Sequence, residues 1–437
     1  MLLLHNPVQA FDPIRAVAHT PGRSVSGQLH TSTMDSTATN TRQKRRRSQR
    51  QGPAGWLFRL LPLAFVGSIH SLLWIMLSQG PAQGGPFDFG LRIYLALSAV
   101  LILAGFYSLR TEHSRWSIAL SWAGLMALGL FSSLFVLSLL RAVVLPVLGW
   151  LGFAAQHWTA ASAYGVVGLA LLATAIGFVV ARMNPKLVRI DVPIEGLPED
   201  LHGFRIVQIT DIHIGRTIRR GYLQRVVNRV NAQQADLVAI TGDVVDGGVA
   251  DLREHVAPLQ QLRAQEGVAL VLGNHELYSG ALPWVQEFRR LGLRVLLNEH
   301  FIVRRGGATL AVAGVTDHST GRFHAELACD PHAAISGQGE TCDIRLLLAH
   351  QPVTAVTGAR AGYHLALHGH THGGQWWPWN YFVRLQQPVV KGLHRFEQMW
   401  SYTSVGTGYW GPPKRHFRGE ITVITLAPPA GSGPKPD

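Results

Sequence analysis

Thiols are nearly missing from this chain, which has two cysteines, Cys329 and Cys342, in 437 residues. That count excludes a disulfide framework, and the two show no zinc-type spacing; the pair can form one bridge or stand as two free thiols. Acidic side chains are also short in supply, 26 Asp and Glu against 39 Lys and Arg, which leaves a formal net charge of +13. No internal repeat is visible. Charge is almost absent from four long apolar stretches, which weakens a transporter reading, since that needs ionisable groups within the spans.

What the chain does have begins with a basic tail. Residues 1–55 carry eight basic side chains, five of them among Arg42, Lys44, Arg45, Arg46 and Arg47, against the acidic Asp12 and Asp35. The tail is rich in Ser, Thr, Arg and Gln and is expected to be disordered. Met34 within it is a second candidate for the true start. Basic charge is compatible with nucleic acid. Here the basic run abuts a long apolar segment, so membrane lipids are the better expected partner.

Residues 56–186 read as a transmembrane region of about four helices. The candidate spans are residues 60–77, 93–109, 116–140 and 161–180, each near the roughly 18–20 apolar residues that cross a bilayer. Trp56, Trp74 and Trp116 lie near span ends, as interfacial anchors do. Arg110 and Arg115 join the second and third spans, and Arg182, Lys186 and Arg189 follow the fourth. By the positive-inside rule, the N-terminus and everything after Arg182 face the cytoplasm. Residues 143–153 contain Pro146 and are short for a span. They read as interfacial or as a continuation of the third helix; if they cross, the C-terminal domain lies outside.

Residues 187–426 alternate strand-length apolar runs with helical patterns, which argues for layered α/β units. The strand-type runs are residues 204–209, 237–240, 268–272, 309–315, 344–348, 365–367 and 421–426. Residues 222–230, 252–262 and 284–291 read as helices. Residues 427–437 form a loose Pro/Gly-rich tail.

Five clusters follow strand-type runs. They are Asp211 with His213; Gly242 and Asp243 with Asp246 beyond; Gly273, Asn274, His275 and Glu276; His350; and the pair His370 and His372, set among Gly369, Gly373 and Gly374. Strand carboxyl ends are where α/β sites form. Taken singly, Asp211 is a turn residue, Asn274 a helix cap and His350 a core histidine as readily as ligands. Together they make a donor set of carboxylate, imidazole and amide oxygen without thiolate, which suits Mn²⁺, Zn²⁺ or Fe²⁺. One ion does not need so many groups. Two ions about 3.5–4 Å apart do, and such a pair activates water and clamps phosphoryl oxygens.

These motifs, in this order, resemble the signature of the calcineurin-like metallophosphoesterases, and the resemblance covers about residues 200–426. It implies a four-layer α/β/β/α sandwich. It also implies that one metal is held by Asp211, His213, Asp243 and His372, and the second by Asp243, Asn274, His350 and His370, with Asp243 bridging. His275 is then not a ligand but the catalytic residue beside the phosphate, where it protonates the leaving oxygen or stabilises the transition state. Asp246 more often orders its loop than binds metal. Glu276 stands where the family usually has Asp, a change that should keep its hydrogen bonding. His368 stands where a small residue is common; it is an additional supporting group or, on the favoured reading, a partly exposed bystander.

A nearer resemblance, through residues 211–216, 373–375, 385–388 and 406–413, is to the membrane-attached bacterial branch, whose members include enzymes that cleave the diphosphate of UDP-diacylglucosamine. It implies the inner (plasma) membrane with the catalytic domain in the cytoplasm. It also implies a phosphoester or diphosphate substrate that is amphiphilic, and Arg216 on a substrate phosphate. The aromatic group Trp376, Trp377, Trp379, Tyr381 and Phe382 packs as core or lines an acyl groove, with core favoured. Tyr409 and Trp410, flanked by Lys414 and Arg415, have an interfacial look. A nuclease and a non-catalytic membrane scaffold are the alternatives; no ligand of the motif set is missing, and no basic stripe accompanies it. Oligomeric state is not legible.

Overall fold

Interior strand runs in the C-terminal half are mostly apolar on both faces, and the computed structural model, which describes residues 53–78, 84–109, 111 and 114–429, shows why. In chain order the strands are β1 (Lys186–Pro193), β2 (Arg205–Ile209), β3 (Leu237–Thr241), β4 (Val268–Val271), β5 (Arg294–Val295) and β6 (Glu299–Arg305). They continue with β7 (Ala308–Gly314), β8 (Ile344–Leu348), β9 (Leu365–His368), β10 (Gly392–Phe396), β11 (Met399–Thr403) and β12 (Glu420–Ala427). One six-stranded sheet has the order β1-β12-β2-β3-β4-β5, and the other β10-β11-β9-β8-β7-β6. Strands β2, β3 and β4 are parallel neighbours, as are β7, β8 and β9.

Successive side chains of a strand point to opposite faces, and here both faces are covered. Ile206, Leu237 and Ala239 of the first sheet pack with Leu310, Leu346 and Leu365 of the second. Their neighbours Val207, Val238 and Ile240 point the other way, onto a helical layer. On the far side of the second sheet, Ala311, Leu347 and Ala366 meet a further helical layer. Each fully buried Val or Leu contributes roughly 1.5–3 kcal/mol, so the middle strands are mostly apolar, and a buried polar side chain there is hydrogen-bonded, as Gln208 of β2 is to Thr241 Oγ1 at 2.8 Å and to the His368 carbonyl at 2.9 Å. The architecture is the expected α/β/β/α sandwich.

Eleven α-helices are described. The first four are α1 (Pro53–Leu77), α2 (Pro86–Ser108), α3 (Arg115–Trp150) and α4 (Thr159–Arg182), and all four are long and apolar enough to cross a membrane. Helix α3 runs unbroken through Pro146 to Trp150, so the short segment after residue 143 continues the third helix up to that point. Helix α1 starts at Pro53, two residues before the basic tail was expected to end. The rest of that tail, with Met34, and the last residues from 430 lie outside the described residues.

The sandwich helices are α5 (Arg220–Asn231), α6 (Val249–Val256), α7 (Asn274–Ser279), α8 (Ala281–Arg290), α9 (Pro331–Ile335), α10 (Ala355–Arg360) and α11 (Trp379–Val383). Leu223, Val226, Leu252, Trp284 and Phe288 bring α5, α6 and α8 onto the first sheet. Ala334, Ile335 and Ala355 bring α9 and α10 onto the second. The helical pattern expected over residues 252–262 breaks at Ala257, where a 3-10 turn carrying Pro258 takes over, because proline cannot supply the next helical N–H.

Candidate metal centre

Five parallel strands end on the same edge of the stack, and each is followed at once by candidate donors. Asp211 and His213 follow β2, Asp243 follows β3, Asn274 follows β4, His350 follows β8, and His370 and His372 follow β9. The turns are tight. Asp211, His213, Asp243, His370 and His372 all hold positive φ, between 51° and 70°. For non-glycine residues this left-handed backbone costs roughly 1–3 kcal/mol each, so the surrounding structure must hold it. Glycines let the turns approach. A Cβ on Gly369 would lie 2.2 Å from Asp211 Oδ2, and one on Gly273 2.1 Å from Asp243 Oδ1.

The expected ligands fall into two sets, Asp211–His213–His372 and Asp243–His350–His370, and within each set ligand-type atoms lie within 4.8 Å of one another; His275 makes a third such group with His213 and Asp243. In the first, His213 Nε2 and His372 Nε2 are 3.0 Å apart, and His372 Nε2 is 3.5 Å from Asp211 Oδ1. In the second, His350 Nε2 lies 3.1 Å from Asp243 Oδ2 and 3.3 Å from His370 Nδ1. Asp243 Oδ2 joins the sets, since His213 Nε2 is 3.8 Å away on its other side.

Proton placement, inferred from the partners, leaves lone pairs pointing inward. His350 Nδ1 donates to the Thr241 carbonyl at 2.8 Å, and His213 Nδ1 to Asp246 Oδ1 at 2.8 Å. Their Nε2 atoms are then acceptors facing other acceptors. Asn274 Oδ1 and His372 Nδ1 are buried with no hydrogen-bond partner. Oxygen and nitrogen lone pairs that converge without a donor repel one another unless a cation lies among them. The residues therefore fit divalent ions.

Other bonds hold the donors in place. Asp211 accepts from the His370 backbone amide, at 2.9 and 3.0 Å, and from Thr210 Oγ1 at 2.8 Å. Asp243 Oδ1 accepts from the His275 amide at 2.9 Å. Asp246 Oδ1 takes Nδ1–H bonds from two histidines, His213 and His275, the latter at 2.7 Å. Burial pushes the Asp246 carboxyl up, but its interactions with His213 and His275 outweigh that and hold it well below the ordinary carboxylate range. Burial acts downward on His275, yet the Asp243 and Asp246 carboxylates raise it to about 9.

Glu276 is fully buried and accepts from four backbone amides: Asp243 and Gly273 on Oε2, and Val244 and Val245 on Oε1. The acidic residue at this position thus pins the Asp243 turn to the Asn274 turn, keeping the hydrogen bonding expected of it. Burial, followed by the nearby Asp243 charge, lifts its carboxyl to about 7. Glu276→Gln turns an NH₂ toward amides that need an acceptor, so metal affinity should fall roughly 10–100-fold. Isothermal titration of metal-stripped protein with Mn²⁺ measures this; an unchanged affinity would contradict the assignment.

Several residues sit elsewhere than expected. Arg216 is 6% exposed, and its guanidinium donates to Ser117 Oγ and to the Thr111 carbonyl, both at 2.6 Å. It is turned toward the start of α3. His368 is fully buried rather than a partly exposed bystander, with Nδ1 3.1 Å from the Ala349 carbonyl. Lys414 and Arg415 are buried, not interfacial, and Tyr409 is buried too. The aromatic group is not core as a whole: Trp376 is half-buried, but Trp377, Trp379, Tyr381 and Phe382 are exposed.

Sequence reasoning passed over Arg415 as a support. Its guanidinium donates to the carbonyls of Gly406, Gly408, Val405 and His372, fixing the backbone under His372. Gln375 works beside it, donating to the Trp410 carbonyl at 2.8 Å and accepting from the Trp410 amide at 3.0 Å. A basic residue 43 positions beyond its target leaves no local pattern to read.

Residues 204–374 match the family described as calcineurin-like phosphoesterase, and the chain belongs to that family. It is 34% identical over 407 residues to a transmembrane protein with metallophosphoesterase domain from Danio rerio, covering 86% of this chain and 91% of that one. A protein of the same description from Bos taurus is 30% identical over 382 residues, 85% of this chain and 80% of its own. An uncharacterized metallophosphoesterase of Campylobacter jejuni is 32% identical over 269 residues, 59% of this chain and 69% of that one. The family implies divalent metal ions, and four apolar helices with relatives named as transmembrane proteins support membrane association.

Proposed function

We propose that this protein is a membrane-anchored two-metal phosphohydrolase that cleaves a phosphoester or diphosphate of an amphiphilic substrate, of the kind represented by UDP-diacylglucosamine. The observation that carries the chemistry is the meeting of two donor sets at Asp243 Oδ2, with His350 Nε2 at 3.1 Å and His213 Nε2 at 3.8 Å. Asp211, His213, Asp243 and His372 would hold one ion. Asp243, Asn274, His350 and His370 would hold the other; Mn²⁺, Zn²⁺ and Fe²⁺ all suit these donors. When bound, such a pair supplies Lewis acidity, acidifying water and neutralising phosphoryl charge.

The chain's own residues do the rest. Asp246 holds His275 through Nδ1 at 2.7 Å, which leaves Nε2 as the free pole, 3.9 Å from Asp243 Oδ2. From there His275 donates a proton to the leaving oxygen. The backbone amide of His275 donates to Asp243 at 2.9 Å and fixes the backbone beneath the ring, while the Asp246 bond restrains the ring itself. Arg216 meeting a substrate phosphate requires release from Ser117 and Thr111, so that role belongs to a state in which those bonds have opened.

The amphiphilic substrate follows from the anchor, which concentrates the enzyme at the surface where such molecules reside. Lys and Arg at the helix ends favour the cytoplasmic side of the plasma membrane. The test is profiling of a lipid and metabolite extract incubated with the purified full-length protein in detergent and Mn²⁺. A lipid-linked diphosphate should disappear as two monophosphates accumulate. Unchanged lipids together with cleaved nucleic acid would replace this reading with the nuclease.

A further inference from the structure

The stretch that follows the metal-binding loop turns large apolar side chains outward. Trp377, Trp379, Tyr381, Phe382 and Leu385 are 45–81% exposed. Single exposed hydrophobics are ordinary, but five on one short stretch form a patch that calls for a partner.

Its place along α3 says what covers it. Trp379 Nε1 donates to Ser132 Oγ at 3.3 Å. The neighbouring helices end at a different level: Ser108 Oγ at the end of α2 lies 2.7 Å from Ser121 Oγ, and the Arg182 guanidinium at the end of α4 stacks over Trp122 at 4.7 Å. Ser132 is ten residues beyond Trp122, about 15 Å farther along the helix at 1.5 Å per residue. The headgroup layer on one side of a bilayer is only roughly 5–8 Å deep. A second contact with α3 lies beside that of Trp379. Lys414 Nζ donates to the Gly129 carbonyl at 2.9 Å and to Ser133 Oγ at 2.6 Å.

Beside this patch is a cleft of about 450 Å³ bordered by Gly373, Asn380, Arg384, Lys391, His394 and Phe417, with no acidic side chain in its wall. Arg384 and Lys391 are exposed and form no salt bridge among the described residues. Gly373 directly follows His372, so the cleft adjoins the loop that carries a metal donor.

We infer that the segment from Trp377 to Leu385 lies within the bilayer, and that the cleft beside it binds the phosphate of an anionic phospholipid. The contacts with α3 place the aromatic side chains below the level at which α2 and α4 end, and two cations without an acidic partner border the cleft and provide the charge to match. The inference rests on the membrane placement proposed above but not on which substrate is cleaved.

The test uses the full-length protein in lipid nanodiscs. Trp377→Phe/Trp379→Phe removes two indoles while keeping the patch apolar. The emission lost in this variant should be quenched in the wild type by phospholipids brominated near the glycerol and not by aqueous iodide. Quenching by iodide alone would overturn the placement. For the cleft, native mass spectrometry should show phosphatidylglycerol retained over phosphatidylcholine by about tenfold or more. Arg384→Ala/Lys391→Ala should abolish that preference. Equal retention of the two lipids by the wild type, or displacement of phosphatidylglycerol by millimolar inorganic phosphate, would overturn the lipid site. Release of the protein by a carbonate wash would instead mark failure of the membrane reading itself.

Discussion

Asp243→Ala is expected to lower kcat on a chromogenic bis-aryl phosphate by about 10³ or more. Asp243 Oδ2 is the atom the two donor sets share, at 3.1 Å from His350 Nε2 and 3.8 Å from His213 Nε2. Its other oxygen accepts from the His275 amide, so one carboxylate links both sets to the proton donor's turn. The loss should not come from unfolding. The Asp243 amide is still held by Glu276 at 3.0 Å, and the flanking Val244 and Val245 amides by the same carboxylate. Steady-state rates in Mn²⁺, beside melting curves of the two proteins, test this. Ordinary turnover in the variant, or wild-type activity that ignores metal, would contradict it.

His275→Ala is expected to cost roughly 10²–10⁴ in rate while metal content stays intact. The ring is held by Asp246 and lies near Asp243, but its Nε2 is 3.9 Å from the nearest carboxylate oxygen and is 18% exposed as a side chain. That places it nearer the rim than His213 and His350, whose side chains are almost fully buried, although it lies close enough to His213 and Asp243 to share an ion with them. Tyr278 and Trp410 stand beside it, with ring centroids at 5.7 and 6.0 Å. A proton donor predicts one further signature: a substrate with a good leaving group, which needs little protonation, should lose much less rate than one with an alkoxide leaving group. Metal loss in His275→Ala, or equal losses on both substrates, would refute the role.

The donors were readable because each sits within four residues of a strand end, so a short motif carries both its chemistry and its position. Their supports were not. Asp246 was read as ordering its own loop, whereas it serves His213, 33 residues away, and His275, 29 away. Arg216 looked free for phosphate because its partners, Ser117 and Thr111, lie about a hundred residues upstream on another element. Among strands, the interior ones stood out as apolar runs. Unread were β1, β5, β6 and β10, all sheet edges, where one side is open and charges such as Lys186, Arg189 and Asp191 break the pattern. Strand β11 was missed for a different reason: its sequence, Met-Trp-Ser-Tyr-Thr, buries Ser401 and Thr403. The aromatic stretch after Trp376 misled because apolar composition alone does not separate a protein core from a lipid-facing surface.

The most direct measurement is titration of metal-stripped full-length protein with Mn²⁺, followed by electron paramagnetic resonance. Two ions per chain with exchange-coupled spectra are expected, since a single carboxylate lies between the sets, and Asp243→Ala should abolish the coupling. One ion per chain, or two uncoupled ions indifferent to Asp243→Ala, would contradict a shared two-metal centre.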